Sequence, residues 1–123
     1  MKPIQCLRKN VDLDMLLRLR GQLTEYSTSL EECADWHALI GNRTRISILW
    51  IITRSPAREL CPCDLADILG ITVGAVSQQL QRLRRGKLLT NRREGKTIVY
   101  SLTPEGVDVI DAKGPRKGPS DDR

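Results

Sequence analysis

The chain's thiol and imidazole metal donors are Cys6, Cys33, Cys61, Cys63 and a single histidine, His37. Cys61 and Cys63 flank Pro62. Proline suits a first helical turn because its missing amide would go unpaired there. The pair therefore reads as opening a helix, whose free amides and positive dipole end favour anionic groups such as a thiolate. Residues two apart on a regular helix point to different sides, but Cys61 just outside the helix and Cys63 just inside can converge on one ion. Two thiolates do not complete a site: closed zinc sites take four ligands, and sulfur-only sites suit soft ions. The further candidates are Cys6 near the N-terminus and Cys33. Cys33 lies in an apolar-periodic segment where a small cysteine is also an ordinary core residue, so both readings stay open. His37 has no ligand partner at helical spacing and is assigned a structural or solvent role.

A second chemistry lies in the cations. The 123 residues carry 20 Lys+Arg against 15 Asp+Glu, a net charge of +5. Between Val73 and Leu102 stand Arg82, Arg84, Arg85, Lys87, Arg92, Arg93 and Lys96 against Glu94 alone, so this segment holds +6 and the remainder −1. Such an excess favours a polyanionic partner. Aromatic residues are few (Trp36, Trp50, Tyr26, Tyr100, no Phe), which argues against single-strand binders that stack bases on aromatic rows. One histidine, no acid/base pair and no phosphate-binding glycine loop leave no catalytic constellation, so an enzyme is not expected. The longest apolar run, at 48–52, is far short of the roughly 20 residues of a membrane span. No secretory signal is visible, and the protein reads as cytoplasmic, with its cysteines as thiols or metal ligands and no membrane partner.

Several elements must position these groups. Residues 1–10 read as a flexible arm, 11–112 as the folded domain and 113–123 as a disordered tail rich in Gly, Pro and charge. Leu13, Leu16, Leu17 and Leu23 suggest an amphipathic helix. A second helix is expected to start near Thr28 or Ser29, whose spacing to Glu31 or Glu32 fits a capping box, and to stop at Gly41-Asn42. A third runs from about Arg43 to Thr53, with Ile46, Leu49, Trp50 and Ile52 as apolar positions and Trp36 and Trp50 as core. A short helix at 62–69, a turn at Gly70-Ile71 and a helix capped by Thr72 form a helix-turn-helix. Leu88 to Arg92 and Thr97 to Leu102 read as strands around Gly95, and Thr103-Pro104 opens a last helix.

On the helix after Thr72, Val73, Val76, Leu80 and Leu83 gather on one side. Gly74, Ala75, Gln78, Gln81, Arg82 and Arg85 fall opposite, with Ser77 and Gln79 flanking. Small and amide residues thus occupy the outward early turns and arginines the later ones. A recognition helix has that division, because its early turns approach base edges while cations meet phosphates. Gln78 is the first candidate for direct readout, since glutamine can hydrogen-bond adenine twice. Ala75, Ser77, Gln78, Gln79, Gln81, Arg82 and Arg85, with Arg92, Arg93 and Lys96 of the hairpin, form the expected DNA-binding set.

Four blocks of the sequence resemble one family. Ile40-Gly41-Asn42-Arg43-Thr44-Arg45-Ile46-Ser47-Ile48-Leu49 and Glu59-Leu60-Cys61-Pro62-Cys63-Asp64-Leu65-Ala66 resemble the ArsR/SmtB metal-responsive repressors. So do Val76-Ser77-Gln78-Gln79-Leu80 through Leu83-Arg84, and Arg93-Glu94-Gly95-Lys96 to Val99-Tyr100-Ser101-Leu102. The resemblance covers roughly residues 33–105. It implies a mainly α winged helix-turn-helix with a small β-hairpin, acting as a homodimer that binds double-stranded operator DNA and leaves it when a metal or metalloid binds. By the same resemblance the first and last helices form the dimer interface.

The family's metal sites carry over in part. The arsenic-type pattern places a third cysteine where this chain has Ala66, and the zinc-type site uses His on the last helix, where this chain has none after Leu102. What remains resembles the cadmium- and lead-responsive branch, in which an arm cysteine reaches the Cys-x-Cys pair of the other subunit. The resemblance thus points to Cys6, Cys61 and Cys63 as a thiolate core, with Cys33 as a further ligand, and to Cd or Pb, then Zn or arsenite, as inducer. Two rival readings stand beside it: a thiol redox sensor on the same fold, and a metal-sequestering protein whose basic hairpin meets an acidic partner.

Overall fold

In the computed structural model, residues 12–115 are described, and secondary structure follows local punctuation closely. The expected arm at 1–10, with Cys6, lies outside the described residues, as does the tail from 116. The chain divides into two units, 1–35 and 36–123. In the first, helix α1 (Leu13–Glu25) starts at Asp12, whose carboxylate accepts the Met15 amide at 2.9 Å. Helix α2 (Ser27–Ile40) follows after Tyr26 alone. The Tyr26 carbonyl already accepts the Leu30 amide at 2.9 Å, so the chain turns helical before the expected capping box at Thr28 or Ser29. No residue of α1 is buried; Leu13, Leu17, Leu19 and Leu23 all face solvent.

The second unit begins with the last turn of α2. Asn42 caps helix α3 (Arg43–Arg54), its Oδ1 accepting the Arg45 amide at 3.1 Å. Strand β1 (Glu59–Leu60) leads into helix α4 (Pro62–Leu69), which has Pro62 in its first turn and ends at Gly70 in the left-handed conformation, φ 70°. Thr72 caps helix α5 (Val73–Arg85) by accepting the Ala75 amide at 3.1 Å. Strands β2 (Leu89–Glu94) and β3 (Thr97–Leu102) form an antiparallel hairpin that turns through Gly95 (φ 63°) and Lys96. Strand β1 adds to the other edge of β3, giving the order β1-β3-β2. Helix α6 (Pro104–Lys113) is capped by Thr103.

One core holds these elements together. Ile48, Leu49 and Ile52 of α3, Leu65 of α4, and Val76, Leu80 and Leu83 of α5 are fully buried, with Leu88, Leu89, Tyr100, Val109 and Ile110 closing the cluster. Each such aliphatic side chain is stabilising by about 1.5–3 kcal/mol relative to exposure. The buried stripe of α3 is Arg45, Ile48, Leu49 and Ile52, not one through Ile46 and Trp50. Trp36 and Trp50, expected in the core, are exposed; Trp50 lies on the outer face of α3, with the Arg54 guanidinium 5.4 Å from its ring centre. A further joint sits below the hairpin. The Thr103 hydroxyl donates to the Lys87 carbonyl at 2.6 Å and accepts the Gly106 amide at 3.0 Å, and the Thr103 amide donates to the Leu88 carbonyl at 3.1 Å. Gly106 has no room for a side chain: a Cβ there would lie 2.2 Å from the Leu88 carbonyl oxygen.

Candidate nucleic-acid interface and metal centre

Helix α5 divides as its sequence requires. Val76, Leu80 and Leu83 anchor it, while Gly74, Gln78, Gln81, Arg82 and Arg85 are exposed and Ala75, Ser77 and Gln79 are half-buried at the border. Val73, grouped by periodicity with the inward side, is instead exposed, because it opens the helix beyond the edge of the core. The left-handed Gly70 sets the angle at which α4 hands over to α5, a backbone conformation that glycine adopts at low cost. At the end of α5, Lys87 takes a left-handed φ of 64° and the Leu88 amide reaches back to the Leu83 carbonyl at 3.0 Å, which turns the chain into β2.

The hairpin cations differ among themselves. Arg93 and Lys96 are exposed near its tip, and Arg93 Nε donates to the Gly95 carbonyl at 3.3 Å. Arg92 is also exposed, but its guanidinium is engaged by carboxylates. Nη2 and Nε donate to the two Glu59 oxygens at 2.5 and 3.2 Å, and Nη2 also reaches Glu94 at 2.8 Å. The hydrogen bonds to Glu59, and then its charge, raise the Arg92 pKa above its ordinary value, with desolvation opposing and Glu94 adding a smaller push. Glu59 lies on β1, so this cluster fastens the hairpin to the strand that runs straight into Cys61.

Cys61 is the N-cap of α4 with no side-chain capping bond, half-buried; Cys63 is exposed in the first turn. Both are free thiols at one end of one helix. Cys33 is an exposed free thiol on α2, in the first unit, which answers the core reading in favour of an accessible sulfur. Among the described residues no group of three or more Cys, His, Asp or Glu gathers into a closed metal site. Two residues escaped sequence reasoning: Arg45 and Glu59. For Arg45 the signal was present, since a charged residue sits three and four positions before Ile48 and Leu49 on the apolar stripe. For Glu59 it was not, because its partner is 33 positions away.

A family profile described as bacterial regulatory protein, arsR family, matches residues 42–89, from the α3 cap to the first residue of β2. The transcriptional repressor SmtB homolog of Synechocystis sp. is 32% identical over 102 residues, which is 83% of this chain and 74% of that protein. The chain belongs to the ArsR/SmtB family. The cadmium resistance transcriptional regulatory protein CadC homolog of Staphylococcus aureus is 34% identical over 71 residues, 58% of this chain and 57% of that one. Among solved structures, reduced HlyU from Vibrio cholerae superposes with a TM-score of 0.65 at 27% identity, covering 73% of this chain and 93% of that chain. The homodimeric winged helix-turn-helix domain of Mb0332 from Mycobacterium bovis gives 0.60 at 26% identity over 71% and 78% of the two chains. For an ArsR/SmtB protein, α4 and α5 are then the helix-turn-helix and the β2–β3 hairpin is the wing. No helix among the described residues is long and apolar enough to cross a membrane.

Proposed function

We propose that this protein is a cytoplasmic repressor that binds double-stranded operator DNA as a homodimer and is released when a thiophilic ion binds its cysteines. The observation that carries the reading is the outer face of α5. Gln78, Gln81, Arg82 and Arg85 project from a helix anchored by Val76, Leu80 and Leu83, beside a wing carrying exposed Arg93 and Lys96. Ala75 and Ser77 are small enough to let the first turns of α5 approach base edges; Gln78 and Gln81 read them, and the arginines hold phosphates. The homodimer reading is supported by α1, where Leu13, Leu17, Leu19 and Leu23 are exposed and a second copy would bury them. Two half-sites then require the paired α5 helices to sit about 34 Å apart, one DNA turn.

The donor set fits a soft ion. Cys61 and Cys63 are accessible free thiols, neither committed to a side-chain hydrogen bond that names it as partner. They would hold the ion together with Cys6 or Cys33, and sulfur ligation favours Cd(II) or Pb(II), with Zn(II) or arsenite also accommodated. The SmtB homolog is named a transcriptional repressor and the CadC homolog a cadmium resistance regulator, which supports both halves of the reading. Coupling between the sites is reciprocal, so operator DNA must weaken ion binding by the factor with which the ion weakens DNA binding.

The test is a titration of reduced, metal-free protein on fluorescent DNA from its own promoter, with Cd(II), Pb(II), Zn(II) and arsenite added separately. Tight binding reversed by one ion is expected and identifies the inducer. Release by oxidant that survives chelation would transfer the switch to thiol oxidation, and absence of sequence-specific binding would refute the repressor reading.

A further inference from the structure

Among the described residues Arg45 is the buried charged side chain, 9% exposed, and its hydrogen bonds run to neutral acceptors. Its guanidinium is held by dipoles from two helices. Nε donates to the Leu39 carbonyl at 2.6 Å and Nη2 to the Ala38 carbonyl at 3.3 Å, both in the last turn of α2. Nη1 donates to Gln79 Oε1 on α5 at 2.9 Å. The last carbonyls of a helix lack intrahelical partners and carry its negative dipole end, so a cation there is stabilised without a counter-ion. Arginine suits this position because its planar fork presents donors in three directions; a lysine is a point charge on one stem.

Resting on the repressor reading above, we infer that Arg45 and Gln79 are a positioning pair. They fix the rotation of α5 about its own axis, and Gln79 serves the operator through Arg45, not through a base. Gln79 is half-buried with its carbonyl oxygen turned inward, whereas its neighbour Gln78 is exposed. The buried Val76, Leu80 and Leu83 fix which face of α5 turns inward, but aliphatic contacts are non-directional and do not set its last few degrees of rotation. A directed hydrogen bond from a buried cation supplies the missing constraint. Side-chain tips lie about 5–6 Å from a helix axis, so a 10° turn of α5 carries the Gln78 amide by about 1 Å. Recognition geometry tolerates roughly half that displacement.

The experiment is a double-mutant cycle in the full-length protein, using Arg45→Met, Gln79→Met and the pair, with affinity measured for operator and for unrelated DNA. Each single change is expected to cut the operator-to-unrelated affinity ratio about tenfold, the scale of one hydrogen bond to a charged group. The double variant should be no worse than the worse single. Thermal unfolding fixes the folded fraction of every variant. Where Arg45→Met does not fold, Arg45→Lys takes its place, keeping the charge and losing the fork. Gln79→Glu preserves the acceptor and should keep the ratio, while its added charge weakens both DNAs alike. Operator preference in the unsubstituted protein with losses that multiply in the double variant, or a Gln79→Met ratio equal to that of the unsubstituted protein, overturns the positioning role alone. No operator preference in the unsubstituted protein overturns this inference and the repressor reading together.

Discussion

On the repressor reading proposed above, the carboxylates around Arg92 should withhold this wing cation from DNA. Three of the contacts its guanidinium makes run to carboxylates, two to Glu59 and one to Glu94. The three side chains together carry a net charge of −1, so the cluster releases no counterion of its own on meeting a phosphate. Binding of a cation to B-DNA phosphate changes the slope of log affinity against log salt by about 0.9, equivalent to about 3.5-fold in affinity over a fourfold change of salt. A homodimer carries each substitution twice, so Arg93→Ala or Lys96→Ala should lower the slope by about 1.8 each, and Arg92→Ala by less than about 0.6. Glu59→Gln leaves Arg92 facing Glu94 alone and should raise the slope, by at most about 1.8 above the unsubstituted homodimer. The assay is fluorescence anisotropy with a fixed operator duplex across a salt series, the slope being read for each variant. A full loss of about 1.8 for Arg92→Ala, one phosphate per subunit, would show that the guanidinium leaves Glu59 for a phosphate, and would refute the argument.

Other outcomes follow from the same geometry. Cys61→Ser and Cys63→Ser should bind operator as the unsubstituted protein does and fail to release it on addition of Cd(II), a loss of the 5- to 150-fold effect that couplings of about 1–3 kcal/mol produce; anisotropy with and without the ion measures it. Gly106→Ala places a methyl 2.2 Å from the Leu88 carbonyl oxygen, backbone that cannot swing away, so α6 must shift. We expect a loss of about 2–3 kcal/mol, an overpacking cost that lowers the midpoint of thermal unfolding by at least about 8 °C. A change of under about 3 °C by circular dichroism would contradict it. Thr72→Ala removes the cap of α5 and should cost about 1 kcal/mol in chemical denaturation, with faster amide exchange confined to the first turn of that helix.

Where the sequence carried local punctuation, the elements fell where it placed them. Pro62, Gly70 and Thr72 bound α4 and α5 at 62–69 and from 73, and Thr103-Pro104 opens α6. Strand β1 was passed over because it is two residues long and exists only through pairing with Ser101 and Tyr100, some forty positions later. The stripe of α3 was rotated because Arg45 occupies an apolar position and Trp50 offers a large apolar side chain outside it. Periodicity weighs side-chain type and cannot register a guanidinium satisfied by helix-end carbonyls. The basic face of α5 was legible from charge and spacing. The contact of Glu59 with Arg92 was not, since Glu59 approaches it only after the sheet has formed. Of the cysteines, Cys61 and Cys63 sit at the head of α4 as their flanking proline implied, and Cys33 lies exposed on α2.

The hairpin is fastened at its base and along its first residues. Leu89 pairs with Leu102, Thr103 ties to both Lys87 and Leu88, and the Glu59–Arg92 contact holds the middle. Its compliance is therefore concentrated in the last few residues, around Gly95 and Lys96. A stylus with a stiff shaft and a pliant tip can follow grooves of different width without disturbing the helix it is attached to. If α5 reads the half-site as proposed, diversifying positions 93–97 should retune which flanking sequences are tolerated in a binding selection and leave the half-site preference in place. That makes the wing tip the natural place to engineer operator breadth.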